Sequence, residues 1–349
     1  MRIAVIGPPF IAIPPKAYGG TELFIAHLAG ELHQLGHEVV VYGNGESKLP
    51  CEVRWRYPRG DWPPDGSQRQ ALMYGDHLGW AVHEASLWAD VVHVNDPLAL
   101  PYTRYVARPT LLTMHSPHEE DTSALFARYP EIDYVAIARW LAEREQMPKV
   151  HVVHHGLPLG QYEFSAKKDD YLVFLGRMAP CKGPHVAIDA AKKAGLPIKL
   201  AGEIQPAYRD YWETEVLPRI DGVQAQFVGE ADLAMKNELL KHARALLFPI
   251  DWEEPFGLVM IEAMACGTPV LAYPGGAVEE IVEDGVSGWI CHDLEQLAGR
   301  SVTPGIRPEA CRDHVERHFS ATRMAEGYLS IYRQLLTGSG LTGVASWTT

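Results

Sequence analysis

Short runs of apolar, largely β-branched residues alternate along the chain with longer stretches whose apolar positions recur every three or four residues. That alternation predicts parallel strands covered by helices. Strands are predicted at 2–6, 38–42, 90–94, 110–114, 134–137 and 151–154, and a second series at 171–175, 198–201, 225–228, 245–248, 269–272 and 288–291. Between the two series, Gly156-Leu-Pro-Leu-Gly160 and the charged stretch 165–170 read as a linker. The pattern therefore describes an α/β chain of two doubly wound domains, over 1–157 and 168–319, facing each other across a cleft. Residues 308–336 have a helical pattern broken at Phe319-Ser320, with Ser320 placed to cap the second helix, and the last dozen residues read as a loose tail. The segment 50–65, with Trp55, Tyr57 and Trp62 among its prolines, reads as irregular.

Composition narrows the function. The chain has 349 residues, 47% hydrophobic and 21% charged, enough for two cores. Its formal net charge is −13, and both halves are acidic: residues 1–150 hold 13 Lys and Arg against 18 Asp and Glu. An acidic chain lacks the basic face that nucleic acid or an anionic membrane requires, so neither is an expected partner. The first amphipathic stretch, 21–35, contains no Lys or Arg. No apolar run is long enough to span a bilayer, and the amino terminus is broken too early, at Pro8-Pro9, for a signal peptide. The five cysteines are scattered with no two-residue spacing, which suggests free thiols and a cytoplasmic setting. Neither H-x-x-x-H nor H-E-x-x-H spacing is expected on a helix, Asp-x-Asp is absent, and no bound metal is expected. Oligomeric state is not legible.

The candidate chemistry lies just after strands, where parallel sheets bind ligands. Asp251-Trp-Glu-Glu254-Pro-Phe256-Gly257-Leu258 precedes a predicted helix whose free N–H groups and dipole suit an anion. Glu254 and Glu262 are eight residues apart, roughly 12 Å if both were helical. A glycosidase pair stands ~5 Å or ~6.5–9.5 Å apart across one bond. These two carboxylates are better spaced to grip separate hydroxyl groups of one long ligand, although acidic helix capping explains either one alone. Gly176-Arg177 and Lys182-Gly183 supply cations at the strand–helix junction opening the second domain, a fork and a point charge for phosphate oxygens. Tyr18-Gly19-Gly20-Thr21-Glu22 lets another molecule approach the backbone at the start of a helix that Thr21 is placed to cap. The G-x-G-x-x-G of nicotinamide binding is missing, since strand one ends in Gly7-Pro8-Pro9-Phe10. His115 and His118 follow a buried strand and are candidates for the cleft; His93 alternates with apolar neighbours and belongs inside the sheet. Gly275-Gly276 with Glu279 opens another helix.

In their order, these motifs resemble family 4 of the retaining glycosyltransferases, with the two-Rossmann-domain architecture called GT-B, over nearly the whole chain. The residues that carry the resemblance are Gly19-Gly20-Thr21-Glu22, His115, Arg177, Lys182-Gly183, Glu254 with Glu262, and Gly276 with Glu279. The resemblance implies that a helix at about 320–349 returns to the first domain. It implies donor binding by Gly19, Gly20, Gly176, Arg177, Lys182, Glu203, Glu254, Phe256, Gly257, Leu258 and Glu262. The roles in catalysis fall to His115, Arg177, Lys182 and Glu254, and acceptor binding to Thr21, Asn95, His115 and His118. It also implies a nucleoside diphosphate sugar as substrate, UDP or GDP being expected, with no cofactor or metal. Three positions depart from the family: Cys181 stands in place of an acidic residue at the rim, Ala138 in place of a serine that contributes a hydroxyl or cap, and His155 in place of an asparagine at the hinge.

The expected activity is transfer of a sugar to an acceptor hydroxyl with retained configuration, the acceptor being a soluble oligosaccharide or small natural product. A sugar-nucleotide 2-epimerase, a pyridoxal-dependent glycan phosphorylase and a non-catalytic two-domain binding protein are the competing readings.

Overall fold

A computed structural model describes residues 1–17 and 19–338; Tyr18 of the glycine-pair motif and residues 339–349, which hold all but the first of the dozen read as a tail and the end of the helix expected at about 320–349, lie outside them. Seven strands form the first sheet: β1 (Arg2–Ile6), β2 (Glu38–Gly43), β3 (Glu52–Trp55), β4 (Val91–Val94), β5 (Thr110–Met114), β6 (Asp133–Ala136) and β7 (Val150–Val152). Six form the second: β8 (Leu172–Leu175), β9 (Ile198–Ala201), β10 (Ala225–Phe227), β11 (Ala245–Phe248), β12 (Val270–Ala272) and β13 (Gly288–Ile290). The orders are β3-β2-β1-β4-β5-β6-β7 and β10-β9-β8-β11-β12-β13, and every pairing is parallel. β1, β5, β8 and β11 are apolar runs buried almost throughout because helices cover both faces of each sheet. In each sheet the order reverses beside the first strand, between β1 and β4 and between β8 and β11. A crevice opens at such a switch point, at the carboxyl ends of the strands.

The twelve predicted strands are all present. β3 is additional, inside the segment expected to be irregular. It is an edge strand with burial running from exposed to half-buried and back, so it lacks the apolar alternation that marks a covered strand.

The first helix spans Gly20–Gln34 and is preceded by Gly19, with no side-chain cap. Thr21 is therefore inside the helix, not its cap. At the other end the break falls where expected. Ser320 Oγ accepts from Arg323 N at 3.3 Å and starts the final helix, Ala321–Gly338. That helix packs against the first helix and the first sheet: the Tyr328 hydroxyl lies 2.9 Å from Thr113 Oγ1, and the Tyr332 hydroxyl 2.8 Å from His93 Nδ1. His93 is completely buried within the sheet, as its apolar neighbours predict. The chain thus crosses between the sheets twice, and the crossings touch. Leu157 N donates to Phe319 O and Ala321 N to Leu157 O, both at 2.8 Å. A Cβ on Gly156 would stand 2.2 Å from Ser320 O, so only glycine lets these two strands of chain meet.

Candidate functional site

A cavity of about 510 Å³ lies where the carboxyl ends of the two sheets face each other. The loops after β1, β8 and β11, the strands at the switch points, supply much of its wall.

The second-domain wall is charged. β11 runs into the turn that carries Glu254, and Gly257, at φ 79°, reverses the backbone so that the helix Leu258–Ala265 starts beside the cavity. A side chain at Gly257 would be strained in that left-handed conformation and would press on Met260. Glu254 precedes this helix and Glu262 lies within it, and they have different partners. Lys182 Nζ donates to Glu254 Oε2 at 2.5 Å, and Trp252 Nε1 donates to the same oxygen at 2.9 Å. The Lys182 ammonium also stands 4.3 Å from the centre of the Trp252 ring, a cation–π contact that holds it against the wall. Glu262, 3% exposed, accepts from Lys236 Nζ at 2.5 Å and from the Tyr162 hydroxyl at 3.0 Å. Each carboxylate is thus half of a largely buried ion pair, which needs such partners to be tolerated at all. Behind the turn, Gly276 N donates to Glu253 Oε2 at 2.5 Å and Ala277 N to Glu254 O at 2.8 Å. The Gly275-Gly276 loop supports the Glu254 turn from outside, and Glu279 is exposed.

The first-domain wall is aromatic and uncharged. Gly19, Gly20, Thr21, His115 and His155 line it, with no carboxylate among its described lining residues. Asn95 Nδ2 donates to Ile6 O at 3.1 Å, which turns its Oδ1 toward His115 Nε2, 3.0 Å away. His115 therefore carries its proton on Nε2 and keeps Nδ1 as an acceptor. Burial lowers its pKa to about 3, so it is neutral at any physiological pH. The His155 ring stacks on His115 at 5.7 Å and meets Phe256 edge-on at 4.7 Å; its buried Nδ1 has no hydrogen-bond partner. Burial drives the His155 pKa well below its usual range.

One contact across the cleft accounts for Ala138. The helix Arg139–Ala142 has no cap from Ala138, but the carboxylate of Glu280, from the second domain, accepts from Arg139 N at 2.8 Å and Trp140 N at 3.3 Å. The same carboxylate bonds His154 Nε2 at 2.5 Å. A second crossing joins Trp62 Nε1 to Glu203 Oε1 at 2.8 Å.

The cavity brings together Gly19, Gly20, Thr21, His115, Gly176, Arg177, Lys182, Glu203, Glu254, Phe256, Gly257, Leu258 and Glu262. Asn95 and His118 are not on its wall. Asn95 is buried behind His115, and His118 bonds Glu145 at 3.0 Å in a separate cluster with Ser123. Lys236 and Trp252 were not singled out as site residues, and His155 was read only as a hinge position. Lys236 belongs to no glycine-marked loop; its only signal is a cation one turn into the helix Leu233–His242 after β10. On other surfaces, His314 and His318 do stand four apart on one helix, yet His314 bonds Ile281 O, and among the described residues no group of three or more His, Cys, Asp or Glu is placed to hold a metal ion. No described helix is long and apolar enough to cross a membrane.

Two family models divide the chain between them: glycosyltransferase family 4 over residues 18–161 and glycosyl transferases group 1 over 161–300. A glycogen synthase of Mycobacterium tuberculosis is 25% identical, with 95% of each chain covered. Sucrose-phosphate synthase from Thermosynechococcus elongatus shares the fold at TM-score 0.81 and 20% identity, covering 97% of this chain and 99% of the other. Anabaena HepE, in complex with UDP-glucose, shares it at TM-score 0.75 and 17% identity, covering 96% and 100%. Two all-parallel domains with the switch-point loops facing, and two family matches meeting at residue 161, lead to one assignment: the chain belongs to the family 4 glycosyltransferases and has the GT-B fold.

Proposed function

We propose that this glycosyltransferase moves a sugar from a nucleoside diphosphate sugar to an acceptor hydroxyl with retention of anomeric configuration. The observation that carries the reading is the grouping, on one cavity wall, of Arg177, Lys182 and the amino end of the helix Leu258–Ala265, with Glu254 and Glu262 set at separate points of the same wall. Arg177, Lys182 and the helix end take the diphosphate and stabilise the charge that develops on it as the glycosidic bond breaks. Lys182 has three donors, so it keeps Glu254 while reaching a phosphate oxygen. Glu262 accepts from the ribose hydroxyls; Glu254 and the N–H groups near Gly257 hold the donor sugar. Glu203 and Gly176 complete the donor wall, and Gly19 and Gly20 let the first domain close over the phosphates. His115, neutral and with Nδ1 as acceptor, orients a hydroxyl beside the reacting centre. The uncharged first-domain wall offers no carboxylate nucleophile on the far face of the sugar, which favours a front-face route.

HepE's complex with UDP-glucose supports UDP as the first donor nucleotide to test, and the uncharged first-domain wall suits a soluble, neutral saccharide-type acceptor. The working division places residues 1–157 with the returning final helix on the acceptor side and 168–319 on the donor side. Five unpaired thiols suit a reducing, cytosolic setting.

A thermal-shift panel of UDP, GDP and ADP tests the donor site, because a ligand raises stability by RT ln(1+[L]/Kd). One nucleotide should raise the melting temperature; no shift with any of the three would remove the donor reading. Proton NMR of the product then reads the anomeric configuration, and an inverted product would remove the retaining mechanism.

A further inference from the structure

A second cavity, of about 270 Å³, opens on the flank of the first helix and meets the larger one at Ala17, Leu23 and Lys236. It lies between that helix, the loop after β1, the loop between β2 and β3, and the start of the second-domain helix Leu233–His242. Three lysines line it, Lys16, Lys48 and Lys236, against a single carboxylate, Glu31. That is the reverse of the chain as a whole, which carries a net charge of −13. Lys236 is already held by Glu262 at the boundary with the larger cavity. Lys16 and Lys48 are exposed, and among the described residues no ion-pair partner stands beside either. Glu31 is engaged elsewhere, accepting from Thr322 Oγ1 at 2.6 Å.

One histidine joins the apolar part of the wall. His27 lines this cavity, is 7% exposed, and keeps a buried Nδ1 with no hydrogen-bond partner. The remaining walls are mostly apolar, from Pro14, Leu23, Ala26, Leu49 and Pro158 among others. Apolar walls with a few convergent polar groups are the usual make-up of a small-molecule site.

We propose that this cavity binds a small phosphate-bearing metabolite, its phosphate held by Lys16 and Lys48 and its carbon body lying along the apolar wall toward His27. Lysine suits this role, since an ammonium on a flexible stem takes phosphate oxygens as a point charge without needing a planar partner. The proposal stands apart from the donor reading, because neither Lys16 nor Lys48 touches the larger cavity.

Isothermal titration calorimetry of the full chain with ribose 5-phosphate tests it, with ribose as the uncharged control. Ribose 5-phosphate should bind saturably and ribose should not. The Lys16→Ala/Lys48→Ala variant should lose at least about tenfold in affinity, equivalent to 1.4 kcal/mol, with an unchanged melting temperature. Lys182→Ala should keep the affinity. If Lys182→Ala loses the binding while the double variant keeps it, the phosphate belongs to the larger cavity and the proposal is overturned. Absence of binding to the unmodified protein overturns it as well. The UDP thermal shift is read separately, so failure here and failure of the donor site are distinct results.

Discussion

The two walls of the cleft solve opposite electrostatic problems. The second-domain wall concentrates charge and neutralises it locally, Lys182 on Glu254 and Lys236 on Glu262. Among its described lining residues, the first-domain wall has no charged side chain to neutralise. It presents His115 and His155, packed among Phe24 and Phe256 and kept neutral by burial. A diphosphate needs cations that are present before it arrives, and cations so enclosed need carboxylates to hold them meanwhile. On the proposed reading, a neutral acceptor hydroxyl needs direction rather than charge, and the fixed His115 tautomer supplies it.

The sharpest way to break this contrast is Lys182→Ala. Turnover should fall on the order of 10²–10³, the cost of one oxyanion donor, in steady-state assays. Glu254 would lose its cation inside the protein, so the melting temperature should fall too. Adding Glu254→Gln to that variant should recover stability without recovering turnover; recovery of both would mean that Lys182 is structural only. Next in size is Lys236→Met. With Glu262 unbalanced, the Kd for the nucleotide that passes the thermal-shift panel should rise about tenfold by calorimetry, with turnover at saturation less affected. An unchanged Kd would detach Glu262 from the ribose.

The buried imidazoles of the first domain, His115 of the neutral wall among them, predict a pH signature. His27, His77, His93 and His115 are held by burial at about 4, 4, 3 and 3, below the ordinary 6.5. Between those values and 6.5 the unfolded chain binds the extra protons, so stability is full above pH 6.5 and falls as pH drops toward 3. Glu22 works the other way: burial raises it to about 7, so its contribution weakens as pH rises from 4.5 to 7. Burial raises Asp96 in the same direction as Glu22, while His155 joins the four histidines, so five histidines outweigh two carboxylates and melting temperatures at pH 7.5 and 5.0 should differ in favour of pH 7.5. Replacing His93 with Gln should flatten that difference; an unaltered slope would contradict burial as its cause. The smallest effect joins the walls. Glu280→Gln weakens a helix cap supplied across the cleft and should cost about 1 kcal/mol in urea unfolding, and Ala138→Ser should restore part of it. If Ala138→Ser stabilises the native protein by as much as it does the variant, Glu280 is not acting as the cap.

Much of this site was legible before any coordinates. Glu254, Arg177, Lys182 and Gly20 follow strands and sit beside glycines or helix starts, and those local features are written in neighbouring residues. Lys236 carries no such punctuation, since it lies one turn into the helix Leu233–His242. Trp252 and His155 do stand beside Glu254 and Gly156, but what ties them to the cavity, the Lys182–Trp252 contact and the His115–His155 stack, joins residues remote in sequence. Thr21 misled in the opposite direction: a good capping residue stands one place inside a helix that Gly19 begins.

The sequence by itself determined the two parallel sheets, the break at Phe319-Ser320 and most of the loops that line the cavity, since these depend on periodicity and on local backbone chemistry. Only the tertiary structure decided the pairing of charges. Which lysine neutralises which glutamate, that Asn95 stands behind His115 rather than on the cavity wall, and that Glu280 caps a helix 141 residues away are matters of distance between elements remote in sequence. No local pattern encodes them, because the energy of each contact exists only once both sheets have brought their carboxyl ends to the same cleft.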